Sequence, residues 1–499
     1  MPTRTALERV LPALSLPVLK PVTTLRGNAW PMPARHVLVV LTAPPTAREV
    51  PGFSRLQDIL GRRGEPMESL QKTPVTASLE DGRLVSWVWI DARQAPFQYQ
   101  TLLCNGLKPL LEEHPLALGL CLTGTAAATQ AGQVAYVAWI NSVSLPSLKR
   151  AAKPPVRTMW LQGVALEAVR LAAARAVAEG NALTRALTVL PANTLTPDAY
   201  RRLIRHLARR QGWRVSEYPL ARLKAMGAGA FVAVAQGSAE ADAAIVQVRF
   251  RGPRARKRVA LVGKGICFDT GGHNLKPARY MYGMHEDMNG SAVVLGILTA
   301  ISRLRLPLEV ECWLALAQNH ISPRAYKQND VVQALNGTTI EIVHTDAEGR
   351  MVLADALTLA ARSRPDLILD FATLTGSMHT ALGSRYSGVF ATDASLAQLA
   401  VAAGEAAGER VVVFPSAPDY DAALDSKIAD IKQCTAEGAA DHILATRFLS
   451  RFTEGCPWLH MDLSASRNEG GLGAAGSDVT GFGVSWGTHF LDSWSRNGL

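Results

Sequence analysis

The segment "HTDAEGRMVLADAL", residues 344–357, sets Asp346, Glu348 and Arg350 at alternate positions just before a run of aliphatic and small residues. Residues two apart in an extended segment project the same way. The spacing therefore predicts that all three face one pocket, at the N-terminal end of a helix beginning near Met351. A second stretch, "VALVGKGICFDTGG", places Lys264 and Asp269 after an apolar strand predicted over Val259 to Val262, between glycines that let the chain turn and approach a ligand. A lysine in such surroundings is costly unless it has a carboxylate partner or gives up its proton. Lys276 follows seven residues after Asp269, and Asp287 eleven after that, in "GMHEDMNGSAVVLGI", where another apolar helix is expected to start.

Two readings fit these residues. Each acid or lysine taken alone is explained by a buried ion-pair network. Taken together, four carboxylates at strand ends and helix starts make an oxygen-rich site for two divalent cations, which would make their burial tolerable. Two such cations can share one water and activate it, so the chemistry is metal-assisted hydrolysis or phosphoryl transfer. Other motifs fail on single letters. A dinucleotide fingerprint needs glycine where Phe268 stands, a phosphate-binding loop needs Ser or Thr where Gly265 follows Lys264, and "HEDMN" lacks the second histidine of a zincin.

The elements that must position these groups follow from pattern. A length of 499 residues suggests roughly two to four domains, and 48% hydrophobic with 19% charged residues is the composition of a globular protein. From Ala34 to Asn141 short β-like runs alternate with helical ones, predicting a small N-terminal α/β domain over 1–158. A connecting helix is expected over 159–190. Residues 191–499 alternate "AAIVQVRF", "LEVECWLAL", "TTIEIV" and "DLILDFA" with helical stretches, predicting a larger C-terminal α/β catalytic domain with a mostly buried mixed sheet. Thr196 reads as a helix N-cap ahead of Pro197.

Function classes narrow further. Apolar stretches break before the roughly 18 residues of a membrane span, so no membrane segment is expected, and the first residues, with Glu8 and several prolines, read as an arm or part of the fold rather than a secretory signal. Six scattered cysteines without a CxxC pair point to a reducing cytoplasm. The net charge of +10 gives a basic surface. Its two basic concentrations, Arg201, Arg205 and Arg209 on one helical face and the denser but short "RGPRARKR" at 251–258, read as solvated rather than as a nucleic-acid footprint.

The ordered series "VGKGICFDTGG", "LKP", "DMNGSAVV", "HTDAEGRMVLADAL" and "ATLTG" resembles the leucyl aminopeptidase family of two-metal exopeptidases, over about residues 160–490. The resemblance implies that Lys264, Asp269, Asp287 and Glu348 hold one cation and Asp269, Asp346 and Glu348 the other, the ions being zinc, manganese or magnesium. It implies that Lys276 polarises the scissile carbonyl, and that Arg350 holds a bicarbonate acting as base toward a bridging water. Backbone groups of Thr373, Leu374 and Gly376 would hold the substrate main chain, with Met284 lining the pocket for the first side chain. The implied function is removal of N-terminal residues from peptides by a cytoplasmic homo-hexamer. Lys264 can ligate only as a neutral amine, whereas Lys276 must stay cationic to stabilise an oxyanion.

Two alternatives use the same scaffold: a DNA-binding or regulatory protein, and a catalytically weakened paralogue. The chain also departs from the family's pattern. His344 replaces the usual Asn of the signature, Asn289 and Ser291 replace Gly and Ala, and "AADHILATRFL" lacks the expected small-residue pattern. His273, His285 and His344 are read as supporting or surface groups, since the ligand set is complete without them.

Overall fold

The computed structural model describes residues 14–22, 32–44, 50–91, 93–150, 153–164 and 168–496. The reading of residues 1–13 as an arm lies outside the described residues. Two large sheets organise the rest. The first has the order β1 (Val18–Pro21), β6 (Thr158–Gln162), β5 (Ala117–Thr123), β2 (His36–Leu41), β4 (Leu84–Trp89) and β3 (Val75–Ser78). All neighbours are parallel except β3 and β4. β2 is an unbroken apolar run because both of its faces are covered. Val37, Val39 and Leu41 pack with helix α1 (Phe53–Arg63), while Leu38 and Val40 pack with α2 (Pro96–Glu112) and α3 (Ala127–Ser142).

The connecting helix begins later than its sequence suggests. In "TMWLQ" Met159 and Leu161 are buried while Thr158, Trp160 and Gln162 are not, a two-residue period that makes a strand of the first sheet. The helix itself, α4, is Ala168–Thr188. Its buried Arg185 donates to Ile140 O at the end of α3 (2.6 Å) and to Val479 O (3.2 Å), tying both halves of the chain together.

The second sheet has eight strands: β15 (Val411–Val413), β14 (Ser387–Ala391), β17 (Trp458–Asp462), β13 (Leu367–Ala372), β9 (Lys257–Asp269), β10 (Leu308–Asn319), β8 (Ala244–Arg251) and β7 (Arg214–Pro219). Its central members β17, β13, β9 and β10 are parallel, with antiparallel pairs toward both edges. Val259 and Leu261 of β9 face the layer of α5 (Pro197–Gln211) and α6 (Asn289–Leu304), and Ala260 and Val262 face that of α7 (Glu348–Arg362). The run "TTIEIV" is not part of this sheet. It supplies β12 (Thr339–Glu341) to a small sheet between β11 (Val331–Gln333) and β16 (Ile431–Lys432).

Thr196 caps α5 as its position predicts, accepting from Ala199 N at 3.3 Å. On α5 the basic stripe is partly neutralised. Glu217 takes Arg201 at 2.6 Å and also pairs Arg205, so its one negative charge offsets one of the stripe's three positive charges and ties up the donors of two of them. No described helix is long and apolar enough to cross a membrane.

Glu409 caps α10 (Val484–Arg496), accepting from Gly483 N at 2.9 Å and Trp486 N at 2.8 Å. Burial lifts its carboxyl from 4.5 to about 7 despite these donors. The folded form thus keeps a proton that the unfolded chain loses, so the stability contributed is present below about 4.5 and lost as pH rises through about 7. Thermal unfolding should therefore show a midpoint that falls between about pH 5 and about pH 8, with a shallower fall in Glu409→Gln, which keeps an acceptor but cannot titrate. Equal slopes would remove Glu409 as the source.

Candidate metal centre

The site lies at the carboxyl ends of the parallel strands, where open α/β sheets bind ligands. β9 does not stop at Val262 but runs through Asp269, so Lys264 and Asp269 stand on the strand itself. Five residues apart, they would face opposite sides of a regular strand. Against β10, however, Ala317 pairs with Ile266 and Asn319 with Asp269, which leaves one extra residue in β9. This bulge turns Asp269 toward the side that Lys264 occupies. Asn319 Nδ2 and Gly271 N then hold Asp269 Oδ1, both at 2.8 Å.

The signature segment differs from its extended reading. Helix α7 starts at Glu348, so only Asp346 precedes it, and Glu348 and Arg350 lie in its first turn. Two residues apart on a helix they diverge. Glu348 Oε1 lies 2.8 Å from Lys264 Nζ, while Arg350 turns to Asp441 and Gln433. Between them, Gly349 is closely packed: a Cβ there would lie 2.8 Å from both Cε and Nζ of Lys264, so the end of that lysine would have to shift. Thr345 fastens the preceding turn, its Oγ1 donating to Gly271 O at 2.6 Å and accepting from Asn274 N at 2.8 Å.

His344 now has a local explanation. Its Nδ1 accepts from Asp346 N at 3.2 Å, the bond to the second residue onward that an asparagine side chain commonly supplies in such turns. Asn289 donates to Thr188 Oγ1 at 2.9 Å and Ser291 Oγ to Met288 O at 2.7 Å, so both of those departures are absorbed by packing behind the site. His273 bonds Tyr326 O, and neither it nor His285 joins the acidic group.

Lys264 Nζ is 2.9 Å from Asp287 Oδ1, and Lys276 Nζ is 2.6 Å from Asp346 Oδ1 and 3.1 Å from Asp269 Oδ2. All five carboxylate and lysine positions expected as ligands, together with Lys276, line one cleft of about 1110 Å³. Burial disfavours the charged form of both lysines, but the surrounding carboxylates outweigh it and hold both above the ordinary lysine value. Burial lifts Asp287 to about 8 against the pull of Lys264. It also raises Asp346 and Glu348, with Glu348 adding to the rise of Asp346 and Asp269 to that of Glu348.

Such a set is short of positive charge. Oxygens of Asp269, Asp346 and Glu348 come within 4.8 Å of one another, and Asp287 Oδ2 is buried without a hydrogen-bond partner. Hard divalent cations satisfy both observations, and the all-oxygen donors with one amine suit them.

The predicted substrate contacts are in the same cleft with their backbone partly committed. Thr373 O accepts from Lys264 Nζ at 2.9 Å, and Leu374 N donates to Asp462 Oδ1 at 3.0 Å, so neither of those groups is free for a main chain. Gly376 opens α8 (Gly376–Leu382), with open space where a Cβ would project, and Met284 lies on the cleft wall.

Two acids had no role in the sequence reading. Asp462, at the end of β17, holds Leu374 and Thr375, and its place after the apolar "WLHM" is the same strand-end signal that marked Asp269. Asp441 opens α9 (Asp441–Ser450) within "AADHILATRFL", the segment without the expected small-residue pattern, and it occupies Arg350. A G-x-S-x-G string, read from the sequence as absent, does occur at 483–487. Its Ser485 is buried at the start of α10 with no strand before it, unlike a nucleophile elbow.

Comparison with known proteins finds relatives of the whole catalytic region. A sequence model described as the cytosol aminopeptidase family, catalytic domain, matches residues 182–486. A "Probable cytosol aminopeptidase" of Methylobacterium radiotolerans is 36% identical over 384 residues, 75% of each chain. One from Stutzerimonas stutzeri is 43% identical over 294 residues, 59% of each. Among solved structures, "Bottromycin maturation enzyme BotP in complex with Mn" matches with a TM-score of 0.81 at 33% identity, covering 93% of this chain and 100% of that one.

His344→Asn should leave peptidase turnover within about threefold, since either side chain can cap Asp346 N. Gly349→Ala should lower it at least about tenfold by displacing Lys264. Steady-state kinetics on the two purified variants tests both, and the reverse ranking would refute the geometry.

Proposed function

Since this chain belongs to the cytosol aminopeptidase family and is a metal-dependent aminopeptidase, we propose that its catalytic centre is the acidic cleft. Lys264, Asp269, Asp287 and Glu348 would hold one divalent cation and Asp269, Asp346 and Glu348 a second. The crowding of three carboxylates beside an unpartnered Asp287 oxygen carries this reading. When bound, the cations supply Lewis acidity and an anchor for the free α-amine of a peptide. Manganese is favoured by the BotP complex, with zinc and magnesium as alternatives of similar donor demand.

The protein's own groups then divide the work. Lys264 serves as a neutral amine donor. Lys276, held cationic by its carboxylate neighbours, is placed to bond the carbonyl oxygen as negative charge builds there. Gly376 leaves room for the substrate backbone beside the strand ends, and Met284 offers a polarizable wall to the first side chain. Thr373 and Leu374 act by fixing Lys264 and the loop rather than through the groups they have already committed. The bicarbonate that the resemblance expects at Arg350 meets a side chain already seated there. The family name supports a cytoplasmic location, and the resemblance supports a homo-hexamer. The pairing of Arg201 and Arg205 with Glu217 speaks against the DNA-binding alternative.

Hydrolysis of amino-acyl anilides in the presence of manganese or zinc should fall more than about tenfold in Asp346→Ala and in Glu348→Ala. Elemental analysis should show reduced metal content in both, and N-acetylated substrates should be poor. Retention of activity and metal in either variant would refute the assignment.

A further inference from the structure

Arg350 is 2% exposed, and both terminal nitrogens of its guanidinium are engaged within the protein: Nη1 donates to Gln433 O at 3.1 Å, and Nη2 meets both oxygens of Asp441 at 2.7 Å, while Nε is buried without a partner. The Asp441 side chain is 22% exposed and borders the same cleft as Lys276, Asp346 and Glu348. A carboxylate has about four lone-pair sites, so two bonds to one nitrogen leave it able to accept from a water in the cleft. Its backbone is set for this place. Ala440, just before it, takes the left-handed conformation (φ 52°), which starts α9 with Asp441 in its first turn.

We infer that Asp441 is the carboxylate base of this enzyme, replacing a dissolved bicarbonate at Arg350. The inference rests on reading the acidic cleft as the hydrolytic centre. A free anion would have to displace a carboxylate tethered by the chain, whose effective concentration at Arg350 far exceeds that of any solute. In the reaction, Asp441 takes one proton from the attacking water as its oxygen bonds to the carbonyl carbon. The same proton then passes to the amide nitrogen as the carbon–nitrogen bond breaks, releasing amino acid and shortened peptide and returning Asp441 to its carboxylate. Arg350 holds the carboxylate in place throughout.

The test compares wild type, Asp441→Ala and Asp441→Asn in carbonate-depleted buffer and with sodium bicarbonate added. Wild-type turnover should be indifferent to bicarbonate. Both variants should lose about 100-fold or more. Bicarbonate should restore at least about tenfold to the alanine variant, whose Arg350 is uncovered, and nothing to the asparagine variant, whose amide still covers it. Calorimetric titration of the metal-free proteins with bicarbonate reads the same site without activity, and binding is expected in Asp441→Ala alone. Bicarbonate uptake by the wild-type protein overturns the inference, as does full turnover by Asp441→Asn. Because calorimetry needs no catalysis, these outcomes are separate from a failure of the Asp346→Ala and Glu348→Ala tests.

Discussion

Charge balance among Lys264, Asp269, Lys276, Asp287, Asp346 and Glu348 is the constraint on which the catalytic half of this protein depends. Four carboxylates against two ammonium groups leave an excess of negative charge on side chains that are mostly buried. Desolvation makes such an excess costly, as the raised carboxyls of Asp287, Asp346 and Glu348 record. In isolation the lysines compensate in part. Divalent cations held there would offset the excess and would free Lys264 to act as a ligand, so that loading would stabilise a site that is costly by itself.

The fold meets that constraint with features that are individually small. A single extra residue in β9 brings Asp269 round to the side of Lys264. The absence of a side chain at Gly349 lets α7 approach the lysine. Thr345 and Asn319 clamp the turn that carries Asp346, and Asp462 clamps the loop that carries Thr373. None of these contacts has to meet substrate. Each removes freedom from a side chain of the acidic cleft, so the rotamers of the proposed ligands would be settled before a cation arrives.

Arg350 shows how one position of a shared signature can be used differently. Its charge is needed beside an anion, and in this chain a neighbouring helix supplies the anion covalently through Asp441. The segment "AADHILATRFL", which lacks the family's small-residue pattern, brings a carboxylate and an imidazole here, and His442 in turn bonds Ser377 Oγ at 3.0 Å. The two departures therefore belong to one rearranged wall of the cleft. His344, by contrast, preserves a turn by other means.

The chemistry was legible in the sequence because it depends on residue type and order. Lysines and acids beside glycines at the ends of apolar runs imply a buried charged site whatever the exact fold, and the α/β alternation follows from periodicity. What pattern alone misjudged were boundaries. β9 runs on past Val262, α7 starts at Glu348, and residues 158–162 are a strand, since hydrogen bonding to neighbours distant in sequence decides where an element ends. The roles of Asp441 and Asp462 were hidden for a related reason. Each acquires its meaning only from a partner about ninety residues earlier in the chain, |i−j| 91 for Arg350 and 88 for Leu374. The amino-acid sequence by itself determined which groups were available and that they had to be buried together. The tertiary structure alone decided which acid faces which base, because that pairing depends on distances of a few tenths of an ångström set by a bulge, a missing Cβ and a helix start.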